Sequence, residues 1–156
     1  MGVVNLYESE MIILVINDTG FKFLDEYEDD ELEIVFSLEY VHSFSGSMNL
    51  IFAYSEDLKE EKEYFILYKK IFEEAKKIRL TNDCAQNIIN IIENARISIK
   101  PPENFGIDGH YYIITVFNNG NYAQYYWWSE PYGDWKVFQE LIDIIFDFIN
   151  NCDKEN

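Results

Sequence analysis

The first apolar stretch has no period. Met11-Ile-Ile-Leu-Val-Ile16 is an unbroken, β-branched run, which reads as a strand covered on both faces. Asp18-Thr19-Gly20 is a turn signal, Phe21 to Tyr27 can return as a partner strand, and Glu28 to Glu31 forms an acidic loop or strand rim. A period of two follows. Leu32, Ile34, Phe36, Leu38 and Tyr40 alternate with Glu33, Val35, Ser37 and Glu39, which predicts a half-buried strand with the first set on its inner face. Ser43-Phe-Ser-Gly-Ser47 breaks the pattern, and Met48, Leu50, Phe52 and Tyr54 make one face of a further strand. Strands joined by such short connections imply an antiparallel meander.

From Asp57 the spacing lengthens. Tyr64, Phe65, Tyr68, Ile71, Phe72, Ala75 and Ile78 fit the i, i+3, i+4, i+7 template and predict a helix over 57–79. Asp57 and Glu60 suit its start, and Lys76, Lys77 and Arg79 its C-terminal end. A second helix begins at Asn82 or Asp83, with Asp83 and Gln86 resembling a capping box, and carries Ala85, Ile88, Ile89, Ile92 and Ala95. Pro101-Pro102 bars its continuation. His110 to Phe117 and Tyr122 to Trp128 then flank Asn119-Gly120, the pair that best supplies the positive φ angles of a two-residue type I′ turn. That turn sets Phe117 against Tyr122, Ile113 against Tyr126 and Tyr111 against Trp128, with Tyr112 against Trp127 and Ile114 against Tyr125 on the other face. Asp134 is placed to cap a last helix, with Phe138, Leu141, Ile142, Ile145 and Ile149 inward and Glu140, Asp143 and Asp147 in an outer stripe. The order ββββ-αα-ββ-α predicts an α+β fold: a mainly antiparallel sheet of about six strands with helices packed on one face. No linker, repeat or low-complexity tail interrupts residues 1–156, which read as a single domain.

Charge changes this picture more than composition does. At 48% hydrophobic and 17% aromatic residues, disorder is excluded. Against 12 Lys and Arg stand 29 Asp and Glu, a formal charge of −17. This argues against direct nucleic-acid binding, which needs clustered cations, and against anionic membrane surfaces. The charge is uneven: residues 1–58 hold 13 acids and one base, and residues 59–79 five acids and seven bases. The start of the chain is uncharged and then acidic, and its longest apolar run is six residues, too short for a secretion signal or a membrane span. Cys84 and Cys152 then read as free thiols and the expected location is cytoplasmic.

Candidate chemistry is sparse. His42 and His110 are distant in sequence, no cysteine has a near partner, and Asp25 to Glu31 lacks the Asp-x-Asp-x-Asp-Gly spacing of a calcium loop, so no metal and no cofactor is implied. No Gly-x-Ser-x-Gly, phosphate-cradling or dinucleotide motif occurs, and no catalytic residue is assigned. Asp108, His110 and Glu130 flank the aromatic hairpin and could share a pocket, His110 being the group that titrates near neutrality. Tyr125-Tyr-Trp-Trp128 with Tyr132 and Trp135 is core between sheet and helix, an exposed protein-binding patch or a small-ligand site.

Pro101-Pro102, then Ile107-Asp-Gly-His-Tyr-Tyr112, then Tyr126-Trp-Trp-Ser-Glu-Pro131, then Trp135 opening an amphipathic helix, resembles small acidic bacterial immunity-type proteins of polymorphic toxin systems. The resemblance spans residues 101–149 and implies a non-enzymatic binder of a cognate toxin; it transfers no binding residue. Together with the charge it suggests an acidic protein that occludes a basic toxin or nuclease partner, with Asp29, Asp30, Glu31, Glu33, Glu39, Trp127, Trp128, Glu130 and Tyr132 as candidate contacts. The alternative is a small-ligand protein or hydrolase with a pocket beside the hairpin, built on Asp108, His110 and Glu130. A third reading is a self-associating protein whose acids lie away from the contact.

Overall fold

The computed structural model describes residues 22–42, 46–57, 61–101, 103 and 109–154. The strand expected over Met11 to Ile16, its following turn, and Asp108 lie outside them. Among the described residues six strands form one antiparallel sheet: β1 (Glu33–His42), β2 (Gly46–Glu56), β3 (Lys62–Lys70), β4 (Lys76–Arg79), β5 (His110–Asn118) and β6 (Asn121–Trp128). Their order across the sheet is β4-β3-β2-β1-β5-β6, and every neighbouring pair is antiparallel. Two helices, α1 (Asn82–Asn94) and α2 (Lys136–Lys154), cover one face, so the fold class is α+β as the patterning implied.

The main core lies between that face and the helices. Phe36, Leu38, Leu50, Phe52, Ile66 and Tyr68 meet Ala85 and Ile88 of α1 and the inward residues of α2. Those α2 residues are Phe138, Leu141, Ile142, Ile145 and Ile149, the five that helical spacing selected. α1 starts at Asn82 as expected, but its cap is Thr81, whose Oγ1 accepts a hydrogen bond from the Cys84 amide at 3.3 Å, rather than Asp83.

Three expectations about where the strands lie and face fail, each for a physical reason. The helix expected over 57–79 is instead the β3–β4 hairpin. Tyr64, Ile66 and Tyr68 face the helices while Phe65 and Leu67 face the other side, and both sides are covered. A strand buried on both faces loses its period of two, and the continuous apolar run then satisfies a helical template by accident. Ile71 and Phe72 sit in the intervening turn, where Phe72 is 99% exposed at φ +65°.

Where Phe21 to Tyr27 is expected to return as a strand, Lys22–Asp30 forms two short 3-10 turns on either side of a kink at Tyr27. Phe23, Leu24 and Tyr27 press onto Ile51, Ala53 and Leu67 on the second face of the sheet, while Asp25 and Glu26 face solvent.

The third correction is in β1. Its pairing with β2 slips between Ile34 and Phe36, a bulge at Val35. Leu32 and Ile34 therefore belong to the second face, whereas Val35, Phe36, Leu38 and Tyr40 belong to the helix face. One extra residue reverses the side-chain parity behind it.

Candidate functional site

The C-terminal hairpin has the expected register, Asn118 against Asn121 through Tyr111 against Trp128. Asn119 and Gly120 take φ +45° and +78°, the double positive that a type I′ turn demands. Alternation then splits the aromatics of β6. Trp127 and Tyr125 go to the helix side, where Trp127 is 3% exposed and stacked between Tyr112 and Phe138 at centroid distances of 5.0 and 4.8 Å. Its indole Nε1 is buried with no hydrogen-bond partner among the described residues. Trp127 is thus core and forms no part of an exposed contact surface, which corrects its place among the candidates.

Tyr122, Tyr126 and Trp128 go to the second face. Tyr126 is 54% and Tyr122 52% exposed, and Trp128 is half-buried against Tyr111 at 6.1 Å, with Tyr126 5.6 Å from the same ring. Trp128 also lies over Gly109: a Cβ there would stand 3.3 Å from the indole Nε1. Glu39 of β1 faces the same side near Tyr111, and burial followed by the Glu39 charge pushes the Tyr111 hydroxyl up.

The other candidates scatter. Glu31 is exposed at φ +43°, and Glu33 accepts a short hydrogen bond from the Tyr54 hydroxyl. Glu33 and Glu39 are six residues apart on one strand, about 20 Å, so they do not share one contact point. Asp29 and Asp30 lie at the end of the 3-10 segment. Glu130 and Tyr132 are exposed beyond β6, and the Tyr132 hydroxyl accepts from the Glu103 amide at 2.8 Å. Asp134, expected as a helix cap, instead accepts from the Ser98 amide and hydroxyl at 2.6 and 3.1 Å, tying the segment after α1 to the start of α2.

The trio Asp108, His110 and Glu130 is not assembled among the described residues, because Asp108 lies outside them. His110 pairs across strands with His42, their rings stacked at 5.9 Å beside Tyr40 and Tyr112. Burial, then the neighbouring His42, hold His110 below the usual imidazole range, with Glu130 pulling the other way. No cluster of three or more His, Cys, Asp or Glu side chains able to hold a metal occurs among the described residues. Among them, too, no helix is long and apolar enough to cross a membrane. No disulfide joins Cys84 and Cys152.

Two features have no counterpart in the sequence reading. The first is a groove of about 320 Å³ between the end of α1, the hairpin and the start of α2. Ile92, Ile97, Val116, Ala123, Tyr125 and Val137 are among its lining, which contains no acid, base or imidazole. Its apolar walls come from segments far apart in the chain, so no local pattern announces it. The second is Asp153 near the end of α2, whose carboxylate accepts from Lys70 at 2.9 Å, Lys76 at 2.7 Å and the buried Tyr68 hydroxyl at 2.9 Å. The two ammonium groups hold Asp153 well below the usual carboxylate range. Burial and the Asp153 carboxylate push the Tyr68 hydroxyl up to about 12.

No protein-family model, characterised protein or solved structure matches the chain in comparison.

Proposed function

We propose that the chain is a non-enzymatic acidic binding protein of immunity or inhibitor type that occludes a basic toxin or nuclease partner. The observation that carries this reading is the separation of charge. Six of the 12 basic side chains, Lys62, Lys69, Lys70, Lys76, Lys77 and Arg79, fall on β3 and β4 at one edge of the sheet. Lys70 and Lys76 pair with Asp153, Arg79 pairs with Glu63 at 2.7 Å, and Lys62 and Lys77 lie over the rings of Tyr54 and Phe65. Elsewhere acids dominate, with Glu130 and the α2 stripe Glu140, Asp143 and Asp147 exposed. A field of one sign steers a basic partner and raises its association rate by about 10- to 1000-fold at low salt. Occlusion then needs no chemistry from this chain; carboxylates such as Glu39 and Glu130 take the place of phosphates.

Affinity capture at low and moderate salt tests the reading. Enrichment of basic proteins that fades as salt rises is the expected result. Recovery of only neutral or acidic proteins at both salts overturns it. The double variant Glu39→Lys with Glu130→Lys, folded as judged by its melting curve, weakens capture of the same partner.

The small-ligand alternative has one observation in its favour, the groove beside the hairpin. Because that groove holds no titratable acid or imidazole, it suits a neutral apolar molecule rather than hydrolysis.

A further inference from the structure

β6 ends the sheet, and among the described residues no strand pairs with its outer edge. Its sequence, Asn-Tyr-Ala-Gln-Tyr-Tyr-Trp-Trp, contains no charged residue and no proline. Natural edge strands are normally blunted by charge, proline or brevity, because their free main-chain groups are a template for another strand. Counting from the two-residue turn, β6 bonds to β5 through Asn121, Ala123, Tyr125 and Trp127. The N–H and C=O groups of Tyr122, Gln124 and Tyr126 therefore point outward. In a chain of charge −17, this edge is where two copies can meet without setting carboxylates against each other.

The strand is also complementary to itself. Antiparallel pairing about a two-fold axis at Gln124 sets Gln124 against Gln124 and Tyr122 against Tyr126, residues whose main-chain groups already face out. On the helix side it sets Tyr125 against Ala123. Large then meets small, and Ala123 forms part of the wall of the 320 Å³ groove. Each Tyr125 ring, packed on Trp135 and Phe138 of its own copy, then borders the small Ala123 of the other without crowding.

We infer that β6 is a self-association edge through which two copies join their sheets into one, Gln124 lying on the two-fold axis. The inference does not depend on the proposed toxin partner. One strand pair is a small interface, so the dimer is weak, and the screening of net charge strengthens it.

Sedimentation equilibrium up to about 1 mM protein, at low salt and at about 0.5 M NaCl, reads the association directly. A monomer–dimer equilibrium that tightens with salt is expected. Gln124→Glu and Gln124→Lys each oppose like charges across the axis and weaken the dimer by about tenfold or more. Mixing the two variants restores it, because Glu then faces Lys. General charge repulsion predicts otherwise: the Lys variant, being less negative, would associate more tightly. Far-UV circular dichroism confirms that both variants fold. A monomer under all conditions overturns the inference and leaves the edge to a segment of another protein. So does a dimer indifferent to both variants, or a mixture that fails to recover.

Discussion

The two edges of the sheet are managed in opposite ways. β4 has four residues, three of them cationic, and its Lys76 is tied with Lys70 to Asp153 of α2. β6 has eight residues, none charged, with two tyrosines more than half exposed. Charge and brevity close the first edge to another strand, whereas the second has no strand partner among the described residues. A net charge of −17 describes neither edge. Where a partner can land is decided by how charge is distributed over elements that lie far apart in sequence and side by side in space.

Truncating the anchors of β6 separates its two faces most sharply. Trp127→Ala removes a ring packed between Tyr112 and Phe138 and costs about 3–5 kcal/mol in urea unfolding. Trp128→Ala, one residue along on the second face, costs about 1 kcal/mol. Equal losses would contradict the assignment of one residue to core and its neighbour to surface.

At the β4 edge, Asp153→Ala leaves the buried Tyr68 hydroxyl without its acceptor and costs about 1 kcal/mol. The two lysine pairs add little, since solvent screens them. Because the folded carboxyl titrates below its ordinary value of 3.8, its contribution is present above that pH and is lost as pH falls through the folded value. An acid titration of stability in which wild type and variant converge at low pH is the expected outcome.

His110, at the start of β5, gives a smaller effect. Its folded pKa lies below the usual 6.5, so the unfolded chain takes up the proton first and stability declines as pH drops below that value. His110→Phe flattens the slope of melting temperature between about pH 7 and 5. A slope unchanged by the substitution would show that the imidazole pair does not carry it.

Smallest of all is Lys77→Thr. It removes one charge from the β4 edge, which Lys76 and Arg79 continue to protect, and changes melting stability by no more than about 0.5 kcal/mol.

Elements whose signal is local were legible in the sequence. Asn119-Gly120 with alternating flanks specified the hairpin and its register, since a two-residue turn admits one pairing. The inward set of α2 followed from helical spacing over a long amphipathic segment. The candidate site was legible only in part. Alternation required that Trp127 and Trp128 face opposite ways, but which side the helices cover is not written within the hairpin. Tyr-Phe-Ile-Leu-Tyr at residues 64–68 carried strand-forming residue types, yet its period was erased by burial on both faces. The bulge at Val35 left no trace in the alternation, because both Ile34 and Phe36 are apolar.

By itself the sequence determined the charge, the hairpin, the helices α1 and α2 and the α+β class, because each rests on residue type or on spacing within one segment. Only the tertiary structure decided which face of each strand is core, which strands are edges, and that Asp153 meets two lysines and a tyrosine from more than 75 residues away. Those outcomes depend on how the sheet is ordered and which layer covers it. Burial is a property of neighbours, and the neighbours of β6 and β4 come from distant parts of the chain.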